Sequence, residues 1–90
     1  MKVRKHIFFS GRVQGVGFRY TAAYLARSMD LTGWVKNLWD GRVEMEVQGR
    51  PEAIDRLLSE LRNQRCIVIE DIEIQEIPVI EETGFAATRY

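Results

Sequence analysis

The stretch from Phe9 to Phe18 constrains this chain most, because the spacing of its apolar residues changes there from that of a strand to that of a helix. The apolar run leading to Phe9 and Ser10 reads as a strand. It gives way to Ser10-Gly11-Arg12-Val13-Gln14-Gly15-Val16-Gly17, where glycines at 11, 15 and 17 signal a tight loop with unusual backbone angles. From there Phe18, Ala22, Leu25, Ala26 and Met29 fall at helical spacing and predict an amphipathic helix that stops before Asp30.

The rest of the chain can be read the same way. Leu31 to Trp39 is rich in β-formers, and Asp40-Gly41 is a strong hairpin-turn signal. Val43, Met45 and Val47 then alternate with Arg42, Glu44, Glu46 and Gln48, the pattern of a strand with one wet face. Gly49 ends it, and Pro51 suits the first position of a helix whose buried stripe is Ile54, Leu57, Leu58 and Leu61. Strand character returns from Ile67 to Ile77, with a slip in the alternation near Gln75 that predicts a bulge or strand end there. Phe85 to Tyr90 could add a short edge strand. The order β-α-β-β-α-β predicts an α+β fold, a ferredoxin-like sandwich with an antiparallel sheet of four to five strands and two helices on one face. In that topology the first and second strands run parallel with the third between them, so their C-terminal ends lie roughly 10 Å apart at one end of the sheet. The glycine loop and Asn37 share that end.

Ninety residues allow one domain, spanning 1–90. An apolar fraction of 46% is ordinary for a globular chain, and thirteen basic residues cancel thirteen acidic ones, which argues against a generally basic nucleic-acid binder. Cys66 is the only cysteine, so there is no internal disulfide and no multi-cysteine zinc site. Behind Lys2, Arg4 and Lys5 the run Ile7-Phe8-Phe9 is too short for a signal-peptide core or a membrane span. A cytoplasmic monomer with no membrane partner is the expectation.

Gln14 to Arg19 combine three anion-binding devices. Glycines at 15 and 17 let successive N–H groups converge on one point. The loop opens into a helix whose first N–H groups lack intrahelical partners and sit at the positive end of the dipole. Arg19, in the first turn, tilts back toward the loop and can fork onto two phosphate oxygens. On the residues alone a plain turn and a solvated arginine remain open. The nucleotide fingerprints do not fit, since Gly15-Val16-Gly17-Phe18-Arg19-Tyr20 lacks the last glycine of G-x-G-x-x-G and no Gly-Lys-Ser/Thr follows.

Gly11-Arg12-Val13-Gln14-Gly15-Val16-Gly17-Phe18-Arg19 resembles the acylphosphatase signature G-x-V-Q-G-V-x-F-R. Gly33-Trp34-Val35-Lys36-Asn37, followed by Asp40-Gly41-Arg42-Val43, resembles that family's second signature, G-W-V-x-N and then x-G-x-V. The resemblance covers essentially the whole chain. It implies hydrolysis of the carboxyl–phosphate bond of a small acyl phosphate, with inorganic phosphate as product inhibitor and with no cofactor or metal. It implies that Gln14, Gly15, Val16, Gly17 and Phe18 cradle the phosphoryl oxygens, with Phe18 anchoring the loop in the core. Arg19 is then the phosphate-binding residue, and Asn37 orients the attacking water. Leu38 departs from the family, where many relatives carry a small hydroxyl residue that could support the asparagine.

The chemistry is compatible with so sparse a site. The leaving carboxylate has a conjugate acid of pKa about 4, so no general acid is needed. What remains is charge stabilisation and alignment of water. Other candidates are weaker. His6 reads as a solvated or packed strand histidine, and Cys66, beside Ile67-Val68-Ile69, reads as a small core residue. Glu70, Asp71, Glu73, Glu76, Glu81 and Glu82 read as scattered surface carboxylates. Trp34 and Trp39 could stack on a substrate or fill the core.

Two rivals remain. The same signature begins larger carbamoyl-phosphate-processing hydrogenase maturation proteins, against which the end of the chain at Tyr90 favours a stand-alone enzyme. The common RNA-recognition fold shares the element order, but its aromatic strand motif is missing from Arg42 to Gly49, which carries Glu44 and Glu46 instead.

Overall fold

Strand-period and helix-period segments of the sequence become seven elements in the computed structural model, which describes residues 1–88. They are β1 (Val3–Arg12), α1 (Phe18–Ser28), β2 (Thr32–Asn37), β3 (Val43–Gly49), α2 (Pro51–Arg62), β4 (Val68–Ile77) and β5 (Phe85–Ala87). The sheet order is β4-β1-β3-β2-β5, with β3 between β1 and β2 as the element order requires. Ile7 and Phe9 of β1, Val43, Met45 and Val47 of β3, and Val35 of β2 point to one face and are fully buried. They meet Phe18, Ala22, Ala23 and Ala26 of α1 and Ile54, Leu57 and Leu61 of α2. The small alanines of α1 let that helix lie close to the sheet.

The sheet is mixed rather than antiparallel throughout. Pairs β1–β3, β1–β4 and β2–β3 are antiparallel, but β5 runs parallel to β2. The cause is the 78–84 connector, which crosses the whole sheet from the β4 edge and enters the opposite edge at the starting end of β2. Of the short last strand predicted over Phe85 to Tyr90, Phe85–Ala87 is strand and Thr88 is not, and residues 89 and 90 lie outside the described residues. The slip in β4 falls earlier than predicted. Ser10 pairs with Asp71 and Gly11 with Ile69, leaving Glu70 as the extra residue, and the strand passes through Gln75 unbroken. That bulge puts Ile69 and Ile72, an odd number of residues apart, on the same core-facing side. Cys66 is exposed in the turn before β4, because Ile67 takes the core position instead. Trp39 is 99% exposed and Trp34 lies half-buried on the open face, with Lys36 Nζ 5.4 Å from its ring, so neither tryptophan fills the core.

Gly33 is required by a backbone approach. Its φ is +138°, and an added Cβ would stand 1.9 Å from the Glu46 carbonyl oxygen on β3.

Arg4 belongs to the charged N-terminal run yet is only 1% exposed. It lies on the open face in register with Gln48, where the connector covers it. Its Nε donates to Glu46 Oε1 at 2.9 Å, and Nη1 and Nη2 fork onto Glu82 at 2.7 and 3.2 Å. Gln48 adds two hydrogen bonds to the connector backbone at Ile80. Arg4→Ala is expected to destabilise the fold by about 3 kcal/mol, the scale for removing one partner of a buried ion pair. Its hydrogen bonds hold the Glu82 carboxyl below the usual range against the upward push of burial. The stability difference from wild type is therefore complete above the unfolded carboxyl pKa of about 4.3. It shrinks as pH falls through the lower folded value, which urea midpoints measured across acidic pH will read.

Candidate active site

β1 leaves the sheet at Arg12, and the chain returns as α1 only six residues later, at Phe18. Gly15 (φ +73°) and Gly17 (φ +77°) make that turn in the left-handed region, and nothing crowds either position. Gly17 is the helix N-cap and supplies no side-chain cap, the first turn holds no acidic residue, and Thr21 N–H donates to the Gly17 carbonyl at 3.0 Å. The N–H groups of Phe18, Arg19 and Tyr20 are thus at the uncapped positive end of the helix. Phe18 is 2% exposed, its ring centroid 4.9 Å from that of Phe9, so the loop is anchored to the core as expected.

The predicted cradle residues divide by position. Gly15, Gly17, Phe18, Arg19 and Asn37 line one cavity of about 170 Å³, together with Val13 and Tyr20. This is well below the size of pockets for drug-sized ligands, about 300–1,000 Å³, and suits a small anion. Val16 packs partly against the core. Gln14 turns to the β2–β3 hairpin, where its Nε2 donates to the Leu38 carbonyl at 2.6 Å and the Arg42 carbonyl at 2.9 Å. The loop is therefore clasped to the segment that carries Asn37. This tether uses backbone carbonyls and asks nothing of the Leu38 side chain. Asp40 braces the hairpin through the Arg42 N–H at 3.1 Å and Nε at 2.9 Å, and these bonds, the backbone one foremost, hold its carboxyl below the usual range.

Asn37 ends β2 opposite Val43. Its Oδ1 is buried and has no hydrogen-bond partner among the described residues. A buried orphan acceptor costs stability, so it calls for a role. Arg19 is half-buried, and its Nη1 donates to the Thr88 carbonyl just beyond β5 at 2.6 Å. Arg27, further along α1, donates to the Phe85 carbonyl at 3.0 Å. α1 thus grips β5 at two points, one of them through the arginine that faces the cavity. Neither Tyr20 nor the Thr88 contact was legible beforehand. The position of Tyr20 next to Arg19 was its only signal, and a backbone carbonyl has none.

The remaining titratable groups lie elsewhere. His6 Nε2 is 2.6 Å from Glu44 Oε2 on the open face. Among the described residues no group of three or more His, Cys, Asp or Glu side chains could hold a metal ion, and no helix is long and apolar enough to cross a membrane. A wider hollow of about 710 Å³ at the far end of the sheet, lined by Lys2, Asp30, Arg50, Glu52 and Arg56 among others, mixes both charge signs without a convergent point.

In this ferredoxin-like sandwich the first strand-to-helix loop opens on an arginine and shares its cavity with a strand-end amide. The chain belongs to the acylphosphatase family, whose sequence model matches residues 5–87. It is 42% identical over 85 residues to an acylphosphatase of Bifidobacterium longum, covering 93% of this chain and 88% of that one. It is also 42% identical over 88 residues to an acylphosphatase of Methylococcus capsulatus, covering 96% of each. The crystal structure of acylphosphatase from Bacillus subtilis superposes with a TM-score of 0.88 at 35% identity, covering 96% of this chain and 98% of that one.

Proposed function

We propose that this chain hydrolyses acyl phosphates to carboxylate and inorganic phosphate, with Arg19 and the Gly15–Phe18 backbone binding the phosphoryl group and Asn37 orienting the water. The observation that carries the assignment of roles is the shared cavity, which brings an uncapped helix end and the Arg19 guanidinium together with the Asn37 side chain. The guanidinium and the N–H groups stabilise negative charge on the equatorial oxygens as the bond to the leaving carboxylate stretches. The Asn37 side-chain amide hydrogen-bonds the attacking water and so fixes the direction of its lone pair. An amide is no base, so the water proton passes to a phosphoryl oxygen as the new P–O bond forms. The carboxylate leaves as the anion without protonation. The products are the carboxylate and phosphate, with every proton accounted for and no cofactor called on.

The protein works as a monomer in the cytoplasm, and inorganic phosphate, which fits the same loop, inhibits competitively. The test is hydrolysis of benzoyl phosphate beside an alkyl phosphate monoester, in excess chelator. Benzoyl phosphate should be turned over, and the monoester should lag by roughly 10³-fold or more, the scale of a missing general acid. Comparable rates on both would reveal a general acid that this reading lacks. A strict requirement for magnesium or zinc would reject the metal-free mechanism.

A further inference from the structure

The anion cavity has one wall in common with a second depression. Tyr20 lines both, and the second, a trough of about 400 Å³, continues along α1 over Thr21, Tyr24 and Leu25 to Gln64. Tyr20 and Tyr24 are 75% and 73% exposed, uncommon for large aromatic side chains in a small domain. They stand four residues apart on one helix, so their rings lie side by side on the same face. Helical side chains tilt toward the N-terminus, which leans this pair toward the mouth of the loop.

Resting on the acyl phosphate reading above, we propose that this trough is the acyl subsite and that it selects aromatic acyl groups over small ones. The water is held on the Asn37 side, so an in-line displacement sends the leaving carboxylate out on the opposite side of phosphorus. Tyr20 is a wall of the cavity that also borders a second depression large enough for an acyl chain. The trough is lined by two phenol rings, a leucine, a threonine and a glutamine, with no charged side chain. A planar ring can lie against Tyr20 and Tyr24 in offset or edge-on contact. An acyl group bearing a second phosphate finds no cation there, and an acetyl group is too short to reach Tyr24.

Binding of two non-hydrolysable ketophosphonates tests the proposal without depending on turnover. Phenacylphosphonate mimics benzoyl phosphate and acetonylphosphonate mimics acetyl phosphate. Dissociation constants come from amide NMR shifts of residues 15–19. The aryl compound should bind wild type about 5-fold more tightly or better, the scale of an aromatic contact. Tyr24→Ala should abolish that advantage while leaving acetonylphosphonate affinity unchanged, and Tyr24→Phe should keep it. Equal affinities in wild type, or an aryl advantage that survives Tyr24→Ala, would overturn the subsite. If the advantage is absent while both acyl phosphates are hydrolysed, the subsite alone fails. If wild type hydrolyses neither acyl phosphate, the functional reading fails and takes the subsite with it.

Discussion

Arg19→Ala is expected to lower kcat for acyl phosphate hydrolysis by roughly 10³-fold or more, by analogy with other arginines that act on transferring phosphoryl groups. It should also abolish competitive inhibition by inorganic phosphate. Both effects follow from the proposed contact, because a guanidinium that forks onto phosphoryl oxygens touches them in substrate, transition state and product alike. Arg19→Lys separates charge from geometry. A lysine restores a point charge but not the planar fork, so it should recover phosphate binding better than turnover. One complication can be measured directly. Arg19 also holds the Thr88 carbonyl at 2.6 Å, so its truncation loosens the end of β5. Thermal unfolding of the variant must therefore show an intact fold before the kinetic loss is assigned to phosphate contact. Arg27 keeps its own bond to the Phe85 carbonyl, which should hold β5 in place.

Much of this site could be read from the chain because its parts are local. Gly15, Gly17 and Arg19 sit within one turn of each other, and the switch of apolar period at Phe18 sets where the helix begins. Asn37 needed only one long-range inference, that β3 lies between β1 and β2, and the element order supplies it. What was not legible depends on chain segments that meet across the sheet. Arg4 reads as one more charge in a basic N-terminus, and Glu82 as one of many acidic residues. Their pairing exists because the connector crosses the open face at the row of Arg4 and Gln48, a path that no local pattern encodes. Gln14 belongs to the loop motif, yet its side chain serves the hairpin, a partner 24 and 28 residues away. The direction of β5 follows from the same crossing. Cys66 and Ile67 are neighbours with similar burial preferences, and only the turn geometry decides which one faces inward.

Asn37→Ala should separate catalysis from binding and from stability in a single variant. If Asn37 touches the water alone, kcat should fall by roughly 10²-fold, the scale of one lost oriented hydrogen-bonding group. Inhibition by inorganic phosphate should stay near the wild-type value, because Arg19 and the loop N–H groups remain. The fold makes a further demand. The buried Oδ1 has no partner among the described residues, so truncation removes an unsatisfied acceptor rather than a hydrogen bond. Gln14 clasps the hairpin through the Leu38 and Arg42 carbonyls, which the substitution leaves in place. The melting temperature should therefore hold or rise, the pattern of a residue kept for activity at some cost to stability. A structural asparagine would behave differently, losing stability and activity together. An Asn37→Ala protein that no longer bound phosphate, beside an Arg19→Ala protein that still did, would invert the two assignments and end the water-positioning argument.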